Sequence, residues 1–166
     1  MAGEERNRFG VVITAIVVRD GRYLILKRSA SEERFPNRWT VPGGKLDTGD
    51  YVHRPKDTPD YWYNVLEEAL RREVREEAGI EIANIRYVTS LADAPEGKDP
   101  SLVISCLADY AIGQIALSDE MSEAAWVSLD EAKQYDLIEG IGEEIEMAER
   151  MLGGNKKKEW RTAGSS

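Results

Sequence analysis

Glu73, Glu76 and Glu77 occupy positions i, i+3 and i+4 of a helix-patterned segment. At about 100° per residue, their carboxyl groups share one face. Leu66, Ala69 and Leu70 fall on the same side, so this face continues the stripe that the earlier turns bury. Three like charges turned inward repel one another and lose hydration, a cost that a divalent cation offsets. The glycine turn Pro42-Gly43-Gly44-Lys45 lies upstream, and carboxylates aimed at such a turn can hold a metal ion against a phosphate chain. The opposite side of the helix carries Glu67, Glu68, Arg71, Arg72 and Arg75, with Glu67–Arg71 and Glu68–Arg72 as i,i+4 pairs, and reads as solvated. A charge run alone is ordinarily only a solvated surface, and the inward carboxylates set this one apart.

The elements that must position these groups are legible in outline. Val11 to Asp20 is β-rich, Asp20-Gly21 signals a hairpin, and Tyr23-Leu24-Ile25-Leu26 returns as the second strand. Ser29 to Asn37 is a polar loop, and Trp39 to Val41 is a short strand leading into the glycine turn. The helix runs from about Asn64 to Ala78 and stops at Gly79. Asn64 followed by Glu67 reads as an N-cap with a capping box, and Thr58-Pro59 is an alternative start. Strands follow at Ile82 to Leu91, Leu102 to Ile112 and Ala125 to Leu129. Ser128-Leu129-Asp130-Glu131 opens a short helix, and Ile138 to Leu152 forms an amphipathic one. Residues 1–152 read as one domain, and the Gly-, Lys- and Ser-rich stretch 153–166 as a frayed tail.

Composition narrows the function classes. A net charge of −9 disfavours a stable nucleic-acid complex, which depends on basic side chains to neutralise phosphates, but leaves small metal-bound phosphates compatible. The strongest apolar run, Val11 to Val18, is too short to span a bilayer, so no membrane association and a cytoplasmic location are expected. The single cysteine, Cys106, lies in an apolar run and reads as a small core residue. The single histidine, His53, has no partners at ligand spacing.

Arg72-Glu73-Val74-Arg75-Glu76-Glu77-Ala78-Gly79-Ile80 resembles the second half of the signature of the Nudix hydrolases. That signature reads Gly, five residues, Glu, seven residues, Arg-Glu, an aliphatic, any residue, Glu-Glu, any residue, Gly, an aliphatic. Gly43-Gly44-Lys45-Leu46 looks like its opening turn, and Phe35-Pro36-Asn37-Arg38-Trp39-Thr40-Val41-Pro42 like the usual lead-in. The halves stand apart by fourteen extra residues. Counting back from Arg72 puts Asn64 at the first Glu of the signature; counting forward from Gly44 puts Asp50 there, the preferred alignment, with the stretch from about Tyr51 to Asn64 spliced in.

The resemblance implies an α/β fold, the Nudix α/β/α sandwich around a central mixed sheet, across roughly residues 8 to 152. It implies a metal-dependent pyrophosphohydrolase that cleaves a diphosphate linkage in a small nucleotide, with Mg²⁺ or Mn²⁺ as cofactor. By position, Glu73, Glu76 and Glu77 are metal ligands, the Gly44 carbonyl completes the shell, and Arg72 orients a glutamate. The general base stays open: Glu120 or Glu123 can supply it, with Glu120 carried as an extra ligand or base and solvated loop acids as the equal alternative. Arg28 matches a position that in the family often grips the terminal phosphate, with an exposed strand-end arginine as the equal alternative, and Lys45 neighbours the phosphates by its place beside the glycine turn. Tyr51, Tyr61, Trp62 and Tyr63 either stack on a base or, more often for such rings, pin an irregular loop.

The lead-in favours the MutT-like group that acts on nucleoside triphosphates, with nucleotide sugars, ADP-ribose and dinucleoside polyphosphates as alternatives. A noncatalytic nucleotide-binding module would dispense with the acids this chain retains. An isoprenoid diphosphate isomerase would need a catalytic cysteine, and Cys106 is poorly placed for one. A homodimer is compatible with all of these readings.

Overall fold

The computed structural model describes residues 8–154 together with Trp160 and Ala163. Most of the expected tail therefore lies outside the described residues. In chain order the elements are β1 (Gly10–Arg19), β2 (Arg22–Arg28), β3 (Trp39–Thr40), β4 (Gly43–Lys45), a 3₁₀ turn (Thr48–Asp50), α1 (Val65–Ala78), β5 (Ile80–Asp93), β6 (Ser101–Gly113), β7 (Met121–Val127), α2 (Leu129–Ala132) and α3 (Ile141–Leu152).

Alternation along β1 sends Ile13, Ala15 and Val17 to one face of the sheet and Ile16 to the other. Asp20 and Gly21 both take positive φ, at 50° and 73°, which lets a two-residue turn follow the twist of the strands it joins. β1 then pairs antiparallel with β2 at this hairpin and with β4 further back, where Val12, Ile13 and Thr14 face Lys45, Gly44 and Gly43. Its other edge runs parallel to β6 from Gly10↔Ser101 to Val18↔Asp109. β5 closes one end of the sheet against β6, while β2 also pairs with β3 and β7.

One parallel ladder among antiparallel ones makes the sheet mixed, and helices cover both faces. On one face, Leu70, Val74 and Ala78 of α1 pack on Ile13, Ala15, Val17, Leu24 and Leu26. On the other, Ile141, Ile145 and Ala148 of α3 and Ala132 of α2 cover Ile16, Tyr23, Ile25 and Leu107. This is the expected α/β/α sandwich.

Several boundaries differ from expectation for local reasons. The turn residues Gly43–Lys45 form a strand, because β1 offers a free edge and glycine alone fits there: a Cβ on Gly43 would stand 2.4 Å from the Ile13 carbonyl oxygen. β7 begins at Met121 and ends at Val127, leaving Ser128 to cap α2 through a capping box with Glu131. α3 starts at Ile141 rather than Ile138, since the Ile138 N–H donates to the Trp39 carbonyl at 2.8 Å and Gly140 turns the chain at φ 92°. Asn64 is the N-cap of α1, but it sits in the left-handed region at φ 57° and its side chain makes no capping bond, so the expected capping box is not formed. Thr58-Pro59 does not start a helix. No described helix is long and apolar enough to cross a membrane.

Candidate functional site

The last two turns of α1 lie against β4. The buried stripe of α1 runs through Ala69, Leu70, Val74, Glu77 and Ala78, so Glu77 occupies a position that the periodicity reserves for an apolar residue and is 6% exposed. The Gly43 N–H donates to its Oε2 at 3.1 Å. Glu73 faces the same way, its side chain 15% exposed, with its carboxylate seated over Gly44; a Cβ on Gly44 would approach the Glu73 carboxyl carbon to 2.2 Å. Glu76 does not look inward as the shared face predicts. It lies off the stripe, its side chain 59% exposed, and stands at the rim of the site.

Arg72 links this rim to the glycine segment. Its Nε donates to Asp50 Oδ1 at 2.6 Å and its Nη2 to Oδ2 at 3.3 Å, a fork on one carboxylate, while Nη1 lies 2.9 Å from Glu73 and 3.0 Å from Glu76. The Asp50 side chain is only 8% exposed. Of the two acids or amides that stand in for the first Glu of the signature, Asp50 is therefore the one held by Arg72, and Asn64 caps a helix. The i,i+4 pairs expected on the outer face give way to stronger partners. Arg71 donates to the Ile82 carbonyl at 2.8 Å, and Glu68 pairs with Arg54 at 3.3 Å.

Negative charge accumulates here. Burial pushes the Glu77 carboxyl up to about 8, the Gly43 N–H opposes the rise, Glu73 and Glu120 add to it, and Arg28 opposes it. Burial also raises Glu73, against the pull of Arg72 and with further repulsion from Glu76 and Glu120. Glu120 thus belongs to the same electrostatic group, delivered by a turn that is tied to the end of β2 through the Ser29 N–H on the Glu120 carbonyl at 2.8 Å. Glu123 does not join it, because Lys27 holds its carboxylate at 2.9 Å.

Among the described residues, no three acidic, histidine or cysteine side chains converge closely enough to make a finished metal cage. Arg72 contacts Glu73 and Glu76, and the Gly43 N–H donates to Glu77. The donor set nevertheless fits a hard divalent cation, since it is all oxygen and includes a carboxyl raised by burial and then by neighbouring acids, beside a glycine that leaves no Cβ in the way.

The remaining expected residues are placed less tightly. Arg28 is fastened within its own loop, donating to the Arg34 carbonyl at 2.7 Å and to Glu32 at 3.2 Å, with its charge felt at Glu77. Lys45 is exposed on β4. Cys106 is buried beneath α1, its thiol pushed up to about 11 by burial, and His53 is exposed. Tyr61 and Tyr63 are exposed, whereas Tyr51 and Trp62 pack against each other within the loop, ring centroids 5.3 Å apart and tilted by 56°. Arg54, which bonds to several groups of that loop, carries no signal in the sequence, because its contacts follow no helical or strand period.

Oxygen donors set beside a glycine strand suit a divalent cation held against a phosphate chain. A NUDIX domain model matches residues 7–146, and the chain belongs to that family. It is 28% identical over 138 residues to nucleoside triphosphatase NudI of Klebsiella pneumoniae (strain 342), covering 76% of this chain and 86% of that protein. NudI of Salmonella agona is 30% identical with the same coverage. Among solved structures, the MutT NUDIX hydrolase from Burkholderia pseudomallei superposes with a TM-score of 0.64 at 25% identity, covering 84% of this chain and 97% of that one. The E. coli ORF135 protein superposes at 0.60 with 28% identity, over 88% and 90% of the two chains.

Proposed function

We propose that this protein hydrolyses nucleoside triphosphates to nucleoside monophosphate and pyrophosphate in the MutT-like manner, with Mg²⁺ as cofactor and Mn²⁺ as a substitute. The observation that carries the reading is the group formed by Glu73, Glu76, Glu77 and Glu120 around Gly43-Gly44, with Arg72 held on Asp50. The similarity to nucleoside triphosphatases directs it toward triphosphates.

Glu73, Glu76 and Glu77 would hold the cation, with Glu120 and the Gly44 carbonyl as further donors. Held by these residues, a divalent cation would supply Lewis-acid polarisation of phosphate oxygens and offset charge on the departing group. Arg72 keeps Glu73 and Glu76 oriented through its charged hydrogen bonds. Arg28 and Lys45 are the proposed contacts for the phosphates. Glu120, exposed and repelled by its neighbours, serves as the base that takes a proton from water, or as an additional ligand. Residues 1–152 act as one catalytic domain with 153–166 as an appended tail, working in the cytoplasm on a small nucleotide, as a monomer or homodimer and without a stable nucleic-acid complex.

A substrate panel with Mg²⁺ tests this reading, comparing nucleoside triphosphates, nucleotide sugars, ADP-ribose and dinucleoside polyphosphates and identifying the products. Release of pyrophosphate with nucleoside monophosphate is expected. Preference for a sugar or dinucleoside substrate would replace the triphosphate assignment, and no turnover with any divalent metal would favour a binding module.

A further inference from the structure

We propose that residues 51–64 form a clamp on the Asp50–Arg72 pair, with Arg54 and Trp62 as positioning residues for the carboxylates that bind the cation. This rests on the reading of Glu73, Glu76 and Glu77 as cation ligands.

The contacts run from Asp50 through the loop to α1. Asp50 ends the 3₁₀ turn, where Asp47 caps the turn and its N–H donates to Asp50 Oδ2 at 2.8 Å. The next residue, Tyr51, packs against Trp62 with centroids 5.3 Å apart and the rings tilted by 56°. The Trp62 indole N–H donates to the Arg54 carbonyl at 2.9 Å, and the Lys56 ammonium lies 5.1 Å from the centre of its ring. The Arg54 guanidinium then reaches three ways: to Asp57 at 3.0 Å, to the Tyr63 carbonyl, and to Glu68 of α1 at 3.3 Å. Glu68 lies one helical turn before Arg72, and Arg72 returns to Asp50. The loop is thereby fastened at Tyr51, beside the acid of the pair, and at Glu68, beside its arginine.

The clamp has a task because Arg72 is contested. Its Nη1 lies within 3.0 Å of both Glu73 and Glu76, and the surrounding carboxylates all attract it. Without Asp50 on its Nε and Nη2, the whole guanidinium would be free to turn onto Glu73 and Glu76, which only its Nη1 now touches, and would compete more strongly with a cation for their oxygens. An irregular connection this long gives Asp50 no such restraint by itself, since loops of this length carry large conformational freedom unless their own contacts tie them. Two aromatic rings and an arginine with three partners supply the tie.

Mn²⁺ binding to the full chain, read by electron paramagnetic resonance of the free ion, tests the clamp apart from turnover. Arg54→Ala, Trp62→Ala and Asp50→Asn are each expected to weaken Mn²⁺ binding about tenfold, the lower end of what partners of metal ligands contribute. Trp62→Phe, which keeps the ring, is expected to recover most of the Trp62→Ala loss. Arg54→Ala added to Asp50→Asn should weaken binding no further, because both changes break one relay. Melting temperatures without metal identify any variant that has lost its fold, and the Trp62 pair carries the test if Arg54→Ala is one. Wild-type Mn²⁺ affinity in both Arg54→Ala and Trp62→Ala would overturn the clamp, as would fully additive losses in the double variant. In either case the hydrolase reading survives if the wild-type protein binds Mn²⁺ and turns over nucleotide. A wild-type protein that does neither overturns that reading, and the clamp with it.

Discussion

Glu77 occupies a core position of α1 yet carries a carboxyl group, beside two other acids and accepting a hydrogen bond from the Gly43 backbone N–H. Evolution of a stable helix alone would place an apolar residue there. Glu77→Gln or Glu76→Gln should lower turnover by orders of magnitude with little change in the circular dichroism melt; near-normal turnover in both would sink the metal-site assignment. The two glycines of β4 should part company in the same assays. On Gly44 a methyl group meets the flexible end of Glu73, so Gly44→Ala should keep its melting temperature within a few degrees and lose most activity. On Gly43 it meets β1 backbone at 2.4 Å, so Gly43→Ala should melt substantially earlier. The inward placing of Glu73 and Glu77 was legible because helical spacing relates them directly, whereas Glu76, expected on the same face, lies off the stripe. Asp50 was reachable only as one of two alignments, since its partner Arg72 lies 22 residues away and no period connects them. Arg54 and Trp62 were not legible as a pair, because a loop writes its contacts in no repeating pattern.

At the scale of elements, α3 carries a second misplaced acid. Glu144 is 4% exposed against the sheet; burial pushes its carboxyl up to about 7, the Ser105 hydroxyl opposes the rise, and neighbouring Glu143 adds to it. Its Oε1 has no hydrogen-bond partner. With the folded value above the ordinary value near 4.5, the native state holds the proton more tightly than the unfolded chain. Stability from this group is therefore complete below pH 4.5 and is lost as pH rises through about 7. Glu144→Gln should match the wild type in thermal melts at pH 4 and exceed it at pH 8; equal curves at pH 8 would show that the carboxyl is not strained. The helices themselves were legible from amphipathic spacing, and α1 was placed to within a residue. Their termini were less so: tertiary pairing of Ile138 with Trp39 shortens α3, and a left-handed Asn64 replaces the expected side-chain cap. β4 escaped notice because glycine has no side chain to alternate, and its strand character comes from the open edge of β1.

For the molecule as a whole, binding of the cation and folding are linked. A ligand at a hundredfold its dissociation constant stabilises the native state by about 2.7 kcal/mol. Saturating Mg²⁺ should therefore raise the melting temperature by about 5–10 °C for a chain of this size, and a chelator should reverse the rise together with the activity. The gain should fall sharply in Glu73→Gln; an equal gain there would place the stabilising ion elsewhere. The overall sandwich was legible because the order of strands and helices admits few layered arrangements, whereas the partner of each strand was not. The parallel ladder of β1 on β6 joins Gly10 to Ser101 across most of the domain. Closing so long a chain segment costs entropy before any contact rewards it, which slows folding. On the ribosome the β1–β2 hairpin can form early, but the second edge of β1 has no neighbour until β6 has emerged. During that interval an apolar strand stands with unpaired amides, open to association with other nascent chains.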